Sequence, residues 1–422
     1  MSAMSGRSPR SAGWLLAGSG LAVALRRRFD RLRRTPEDVR DARAGRALGQ
    51  ALRRRGGVYA ELGLELTVRS ELASTAFRSA LAGGLATGEP LPFAVVQQVL
   101  ERELGAAHRH YSWIDPLPLE HSAVAQVHRA RLHDGPLVEI RIRPPSLEPE
   151  RVRADLRRLR RATPILQRWL APACARHLLD DLERTVEEAT DLARTGQRAA
   201  QLAAELRHDR AAVVPDVCWP ATARGVLTLE WVPRFPLGAA TAQGLKTDDC
   251  LATLLRIYAP RLLSAGAFHT RPPEGSVWLV NESVPDEALP GGQARLLVLD
   301  FAMSRSLPEP LRRETGPLLR AVAGRSAPEL RGVLDRLAGV RRGREAGVDQ
   351  ALTQLLTSPD LAPVELLAGL LGDASRFELP PELPAWARSL GHIARMCRAL
   401  DPTHDPTHDP LPALLAHCPQ RG

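Results

Sequence analysis

The sequence predicts an α+β protein with a small antiparallel-sheet lobe, a mostly helical lobe and an N-terminal helical extension. Three observations predict it. Ser122–Leu132 and Leu137–Arg143 alternate apolar and polar residues with period two across His133-Asp134-Gly135, the pattern of a β-hairpin. Long Arg- and Leu-rich stretches of helical spacing stand on either side of it. Further short strand-like runs at 213–218, 225–232 and 294–300 are separated by helical text.

From the N-terminus, Ser11–Leu25 is an apolar run followed by Arg26-Arg27-Arg28. It falls short of the roughly 20 residues that span a bilayer, and no A-x-A-like cleavage site precedes the basic run. Two readings stay open for 11–28. One is an interfacial anchor with Trp14 and the arginines at the headgroups; the other is a helix packed on the domain. Residues 26–55 are helix-permissive until Gly56-Gly57 breaks the pattern. Helical spacing resumes from Val58 to Leu104, and Pro92–Gly105 reads as one amphipathic helix closed by a glycine. Pro144-Pro145 ends the hairpin, and helices run from about Pro149 to His208. The strand-like runs 213–218 and 225–232 are expected to join the hairpin in one antiparallel sheet. A helix covers about Thr247–Ala265, a Pro-, Glu- and Gly-rich loop His269–Gly275, and a strand Ala294–Asp300. Helical text then reaches about Leu371, and the tail repeats Asp-Pro-Thr-His from Asp401. The resulting division is an extension over 1–55, a sheet lobe over 56–235, a helical lobe over 236–400 and a Pro-rich tail over 401–422.

The 422 residues are 44% hydrophobic and 25% charged, an ordinary globular balance. Aromatic residues are only 4%, so the core leans on Leu, Ala and Val. The net charge of +9 is spread over many helices without an aromatic-interleaved patch, so no specific nucleic-acid partner is expected. The five cysteines are odd in number and form no C-x-x-C pair, which argues against a disulfide framework or zinc site and for a reducing cytoplasm. His404 and His408 alone are too few for a metal site.

Four ordered segments carry a resemblance. They are Ala125-Gln126-Val127-His128-Arg129-Ala130 with Asp134-Gly135 after it, Val213–Val232, Gly266–Gly275, and Leu297–Met303. Together with a weaker match over Leu379–Pro402, they resemble the UbiB-type (AarF-domain) atypical kinase family across about 50–405. The corresponding family text is I-A-Q-V-H-x-A, a turn and V-A-V-K-V; then hinge-proximal strands; then G-F-F-H-A-D-P-H-P-G-N; then L-x-L-L-D-F-G-M. The resemblance implies a protein-kinase-like fold, ATP and magnesium as cofactors, and a link to ubiquinone biosynthesis or other membrane-lipid metabolism. It places nucleotide contacts at Gln126, Arg141, Glu230 and Asp300, with Asp300 as the metal ligand.

The departures fall on the chemistry. The phosphate-holding lysine of V-A-V-K-V is Arg141 here, within Val138-Glu139-Ile140-Arg141-Ile142. A planar guanidinium is not a conservative replacement for an ammonium. The catalytic aspartate is Arg271, which cannot accept a proton, although such a base contributes roughly 10²- to 10⁴-fold. The metal-binding asparagine is Ser276, a shorter and weaker ligand, while the metal-binding aspartate survives as Asp300. The family's Lys-x-Gly-Gln matches Glu61-Leu62-Gly63-Leu64, and its Glu-x-Asp matches Ala189-Thr190-Asp191. Glu120 and His121 interrupt the alanine-rich loop. The reversed signs at Glu61 and Arg271 predict that Glu61 pairs with Arg271 or Arg141, with Asp300 completing the network.

No catalytic position is intact, so the function expected is a pseudokinase: a regulatory or binding module with a protein or lipid partner. Its location would be cytoplasmic, peripheral to the inner membrane face where residues 11–28 make lipid contact. The alternative is an active atypical ATPase or kinase using Arg141 and Asp300 in altered roles, with Glu274 as the nearest remaining carboxylate.

Overall fold

The structure, a computed structural model, describes residues 36–68, 74–85, 89–106, 109–133, 135–166, 172–268, 275–280, 294–299, 301, 305–337, 348–357, 366–367, 370–371, 379–380, 382–400 and 414–415. The membrane reading of residues 11–28 and the tail repeat lie outside them. Among the described residues no helix is long and apolar enough to cross a membrane.

The chain divides into two compact units, residues 1–193 with 219–228, and residues 194–218 with 229–422. The first opens with helices α1 (Glu37–Arg55), α2 (Gly57–Val68), α3 (Thr75–Leu85) and α4 (Phe93–Leu104). Helix α1 has Glu37 and Asp38 in its first turn and Arg53–Arg55 in its last, charges that complement the helix dipole. The expected break follows: Gly56 has φ +65° and Gly57 φ +50°, backbone that a side chain would strain. Helix α4 buries Val96, Val99 and Leu100 at helical spacing, and Gly105 ends it with φ +77°.

The sheet of this unit contains β1 (Tyr111–Ile114), β2 (Glu120–His121), β3 (Gln126–Leu132), β4 (Leu137–Ile142) and β6 (Val226–Glu230). Its order is β1-β3-β4-β6, with β2 also on β3. The hairpin forms as the alternation predicts, from Gln126 opposite Ile142 to Arg131 opposite Leu137. Beyond it lie α5 (Pro149–Arg161), α6 (Thr163–Leu166) and α7 (Pro172–Thr190), while α8 (Leu192–Leu206) belongs to the second unit from Arg194 on. Leu52, Leu62, Leu81, Leu156, Leu159, Leu178 and Leu182 meet in one core from α1, α2, α3, α5 and α7. Burying each such leucine contributes about 1.5–3 kcal/mol.

One expectation fails. The run 213–218 does not extend the hairpin sheet. Strand β5 is only Ala212–Val213 and pairs in parallel with β10 (Leu296–Val298). Past it Val217 makes a single bridge to Leu229. Pro215 is the physical reason: it has no N–H to give a ladder. Residues 122–125 also form no strand, because Ser122 Oγ takes the N–H groups of Val124 and Ala125 into a turn.

The second unit has the sheet β5-β10-β9-β7, with β7 (Arg234–Phe235) and β9 (Val277–Val280), and a pair of β8 (Ala267–Phe268) with β11 (Arg305–Ser306). Its described helices include α9 (Thr247–Ala259), α10 (Glu309–Ala323), α11 (Ala327–Leu337), α12 (Val348–Leu356) and α13 (Glu382–Leu400). A π turn over Pro260–Ser264 continues α9. The Leu262 carbonyl in that turn accepts the indole N–H of the fully buried Trp386 on α13, at 3.1 Å.

Candidate functional site

In the first unit the expected residues divide between the two faces of the hairpin. Successive side chains on a strand alternate sides, and directly opposed residues share one. Val127 faces Arg141 and Arg129 faces Glu139, so Arg129, Glu139 and Arg141 project together. Glu139 Oε1 accepts from Arg141 Nε at 3.1 Å and Nη2 at 2.9 Å. The Glu139 side chain is 1% exposed and that of Arg141 20%. Arg129 stacks over Trp113, 5.7 Å from the ring centre, and lies 3.6 Å from the Asp115 carboxylate.

Gln126 takes the other face. Its Oε1 accepts from the Leu91 N–H at 2.6 Å and its Nε2 donates to the Leu91 carbonyl at 3.2 Å. Nε2 also lies 2.9 Å from His128 Nε2, and His128 Nδ1 is 2.7 Å from the Asp115 carbonyl. A carbonyl only accepts, so the imidazole proton sits on Nδ1 and Nε2 accepts from the amide. Protonated His128 would aim a second N–H at a donor. Burial pushes the imidazole below its ordinary value, against the pull of Asp115.

A pH dependence follows. Lowered in the fold, the His128 pKa leaves the unfolded chain binding more protons below about 6.5, so stability is present above that pH and drains away as pH falls. The slope from this one site reaches at most about 1.4 kcal/mol per pH unit. Urea melts from pH 7 to 5 are expected to be steeper in pH for the parent than for His128→Gln. Equal slopes refute the assignment.

At the end of β4 stands Arg143, whose side chain is 4% exposed. Nη1 donates to the Thr190 carbonyl at 2.6 Å and the Arg224 carbonyl at 3.3 Å, and Nη2 to Glu103 Oε1 at 2.9 Å. Glu103 Oε2 accepts from the Gly225 N–H at 2.9 Å. A Cβ at Gly225 would lie 2.5 Å from that carboxylate, so glycine is required by the close approach. This knot fixes the end of the strand that carries Arg141.

In the second unit Ser276 is buried at the start of β9, with His392, Arg395 and Met396 along one stripe of α13. Ser276 Oγ is 2.9 Å from His392 Nε2 and donates to Met396 Sδ at 3.9 Å. Arg395 Nη2 lies 3.5 Å from His392 Nδ1. A guanidinium only donates, so Nδ1 accepts, the proton is on Nε2, and Ser276 accepts it.

Glu230 is exposed and its N–H donates to the Asp216 carbonyl at 2.8 Å. Next to it, Arg234 lies 5.0 Å from the Trp231 ring centre and 5.3 Å from that of Trp278. Arg271 and Asp300 lie outside the described residues, as does any pairing of Glu61 with Arg271. Glu61 itself is fully buried on α2 together with Glu65. Among the described residues no three His, Cys, Asp or Glu side chains cluster as metal ligands.

Glu139 and His392 are the partners that sequence reasoning missed. Glu139 shares a face with Arg141 by strand period, a signal present in the text. His392 lies 116 residues from Ser276 and at the spacing of any core helix, so no local signal marks it.

The model of the ABC1 atypical kinase-like domain matches residues 87–331, more than half of the chain. The probable protein kinase UbiB of Xylella fastidiosa (strain M23) is 24% identical over 300 residues, covering 69% of this chain and 53% of that protein. Protein ACTIVITY OF BC1 COMPLEX KINASE 3, chloroplastic, of Arabidopsis thaliana is 28% identical over 267 residues, covering 61% of this chain and 36% of its own. The chain thus spans about half the length, or less, of these curated relatives. Among solved structures, Rv3197 of Mycobacterium tuberculosis, in complex with erythromycin, aligns with a TM-score of 0.53 at 22% identity, over 84% of this chain and 90% of that one. That likeness is one of fold.

Proposed function

Because the chain belongs to the ABC1 atypical kinase-like family, we propose that it keeps the family's kinase-like fold as a binding or regulatory module and does not transfer phosphoryl groups. The observation that carries this reading is the fate of Ser276. Where the family has a metal-binding asparagine, its hydroxyl accepts from His392 and donates to Met396, a soft thioether. Arg141, where the family has its phosphate-holding lysine, is engaged by Glu139. Phosphoryl transfer rests on positioning and electrostatics, with the metal bridging phosphate oxygens. Gln126, Arg141 and Ser276 are committed to protein partners, so these three side chains do not fit that pair.

The test is magnesium-dependent ATP turnover by the full chain. We expect it at least about 10²-fold below the roughly 1–100 s⁻¹ of protein kinases. Turnover in the parent that is lost in Asp300→Asn would overturn the reading and leave the active atypical ATPase in its place. The ligand proposed for the module is an isoprenoid quinone or another membrane lipid, on the strength of the family. Co-sedimentation with quinone-bearing vesicles tests this, and no retention of the full chain would refute it.

A further inference from the structure

Helix α5 has two unlike faces. Val152, Leu156 and Leu159 are buried at helical spacing in the core of the first unit. Arg153, Arg157, Arg160 and Arg161 share the outer face and are exposed. Arg160 is held by Asp180 and Glu183 on α7, and Arg158, on the flank, by Asp155. Arg153, Arg157 and Arg161 make no ion pair among the described residues. They form a row at i, i+4 and i+8, about 12 Å long. Like charges at that spacing oppose the helix. The helix dipole favours cations only in the last turn, where Arg158, Arg160 and Arg161 stand, so it does not account for Arg153 or Arg157. A row that weakens its own helix and is unmatched within the unit fits an anion from outside.

We propose that the outer face of α5 docks on an anionic bilayer surface by charge alone, through Arg153, Arg157 and Arg161. The chemistry of the face selects that partner. Protein interfaces centre on aromatic and apolar anchors, with charge depleted at the core. The large apolar side chains of α5, Val152, Leu156 and Leu159, are all turned inward. Binding of single-stranded nucleic acid adds stacking on aromatic rings, and α5 holds none. A bilayer rich in anionic headgroups is a field of negative charge that needs neither. Within α5 the one exposed carboxylate is Glu150, in the first turn. The inference goes beyond the function proposed above and does not rest on it: the contact needs neither a quinone nor a nucleotide site, and it lies apart from residues 11–28.

The experiment is co-sedimentation of the full chain with quinone-free vesicles, of phosphatidylcholine alone and of phosphatidylcholine with phosphatidylglycerol. It compares the parent, the triple variant Arg153→Gln/Arg157→Gln/Arg161→Gln, and a control, Arg46→Gln/Arg210→Gln/Arg320→Gln, which removes as much charge from exposed sites elsewhere. A single-stranded oligonucleotide is titrated in parallel. The parent is expected to partition more strongly onto the phosphatidylglycerol vesicles than onto the neutral ones, and less so as salt rises. An arginine at an anionic surface contributes about fivefold to partitioning, so the α5 triple is expected to lose on the order of 10²-fold and the control far less. The triple is expected to melt no lower than the parent, because glutamine is a comparable helix former and the repulsion is gone. Equal partitioning of parent and α5 triple overturns the proposal, and so does an equal loss in the control, which would make net charge the cause. Row-dependent binding of the oligonucleotide with none to vesicles overturns it in favour of a nucleic-acid partner. A triple that melts below the parent overturns it as well, since the arginines would then serve the fold. The vesicles carry neither quinone nor ATP, so this inference and the function proposed above fail separately.

Discussion

Replacing Arg143 with alanine is expected to lower stability by about 3–5 kcal/mol, the range for removing one member of a buried ion pair. The guanidinium joins four elements in the first unit. It holds Glu103 on α4, the Thr190 carbonyl at the end of α7 and the Arg224 carbonyl before β6, from the residue that follows β4. Alanine would leave the Glu103 carboxylate, 14% exposed, with a charge and no cation of that quality beside it. Arg102 is its remaining ion-pair partner, at 3.4 Å, and is half exposed. Urea denaturation of the parent and Arg143→Ala measures the difference. The double variant Glu103→Gln/Arg143→Met is expected to lose less than the single one, because it removes both charges and keeps an acceptor for the Gly225 N–H. A loss below about 1 kcal/mol in Arg143→Ala, or a double variant worse than the single, contradicts this account.

Gly45→Ala and Gly49→Ala are expected to destabilise by about 1–3 kcal/mol each through overpacking. Helix propensity alone predicts the opposite sign, a gain of up to about 1 kcal/mol per glycine replaced. Contact decides. A Cβ at Gly45 would lie 2.2 Å from the Phe77 carbonyl oxygen, and one at Gly49 2.5 Å from that of Leu81. Both obstacles are backbone of α3, which cannot swing aside as a side chain can. The approach is reciprocal, since a Cβ at Gly84 would lie 2.7 Å from the Arg46 carbonyl oxygen. Gly83→Ala is the control: it sits on the same helix with nothing within 4 Å, so propensity acts there unopposed and stability should rise. Thermal melts that show Gly45→Ala and Gly83→Ala moving in the same direction would refute the close seam between α1 and α3.

The hairpin and the helix Phe93–Leu104 were legible because each carries its signal locally: period two around a short turn, or helical spacing between Pro92 and Gly105. The run 213–218 misleads because two apolar residues before a proline look like any strand. Their partner, 296–297, lies in a distant part of the chain and pairs in parallel. At the site, motif spacing found Arg141 and Ser276 but was silent on what they touch. The engagement of Gln126 with Leu91 is equally non-local, a clamp across 35 residues. Charge type and spacing nominate a position, whereas the competition among neighbours for its hydrogen bonds exists only in the fold.

The division of the chain has a consequence for what can be cut or inherited. Residues 219–228 return to the first unit after 194–218 have left it, so neither unit is one continuous stretch. A fragment ending at Ala193 would lack β6, the neighbour of β4, and would present β4 as a raw edge of unpaired N–H and C=O groups. Such an edge invites another chain to pair there. A break after Ala193 therefore does not release a self-sufficient sheet lobe, whereas one after Glu230 would leave every strand of that sheet on one fragment.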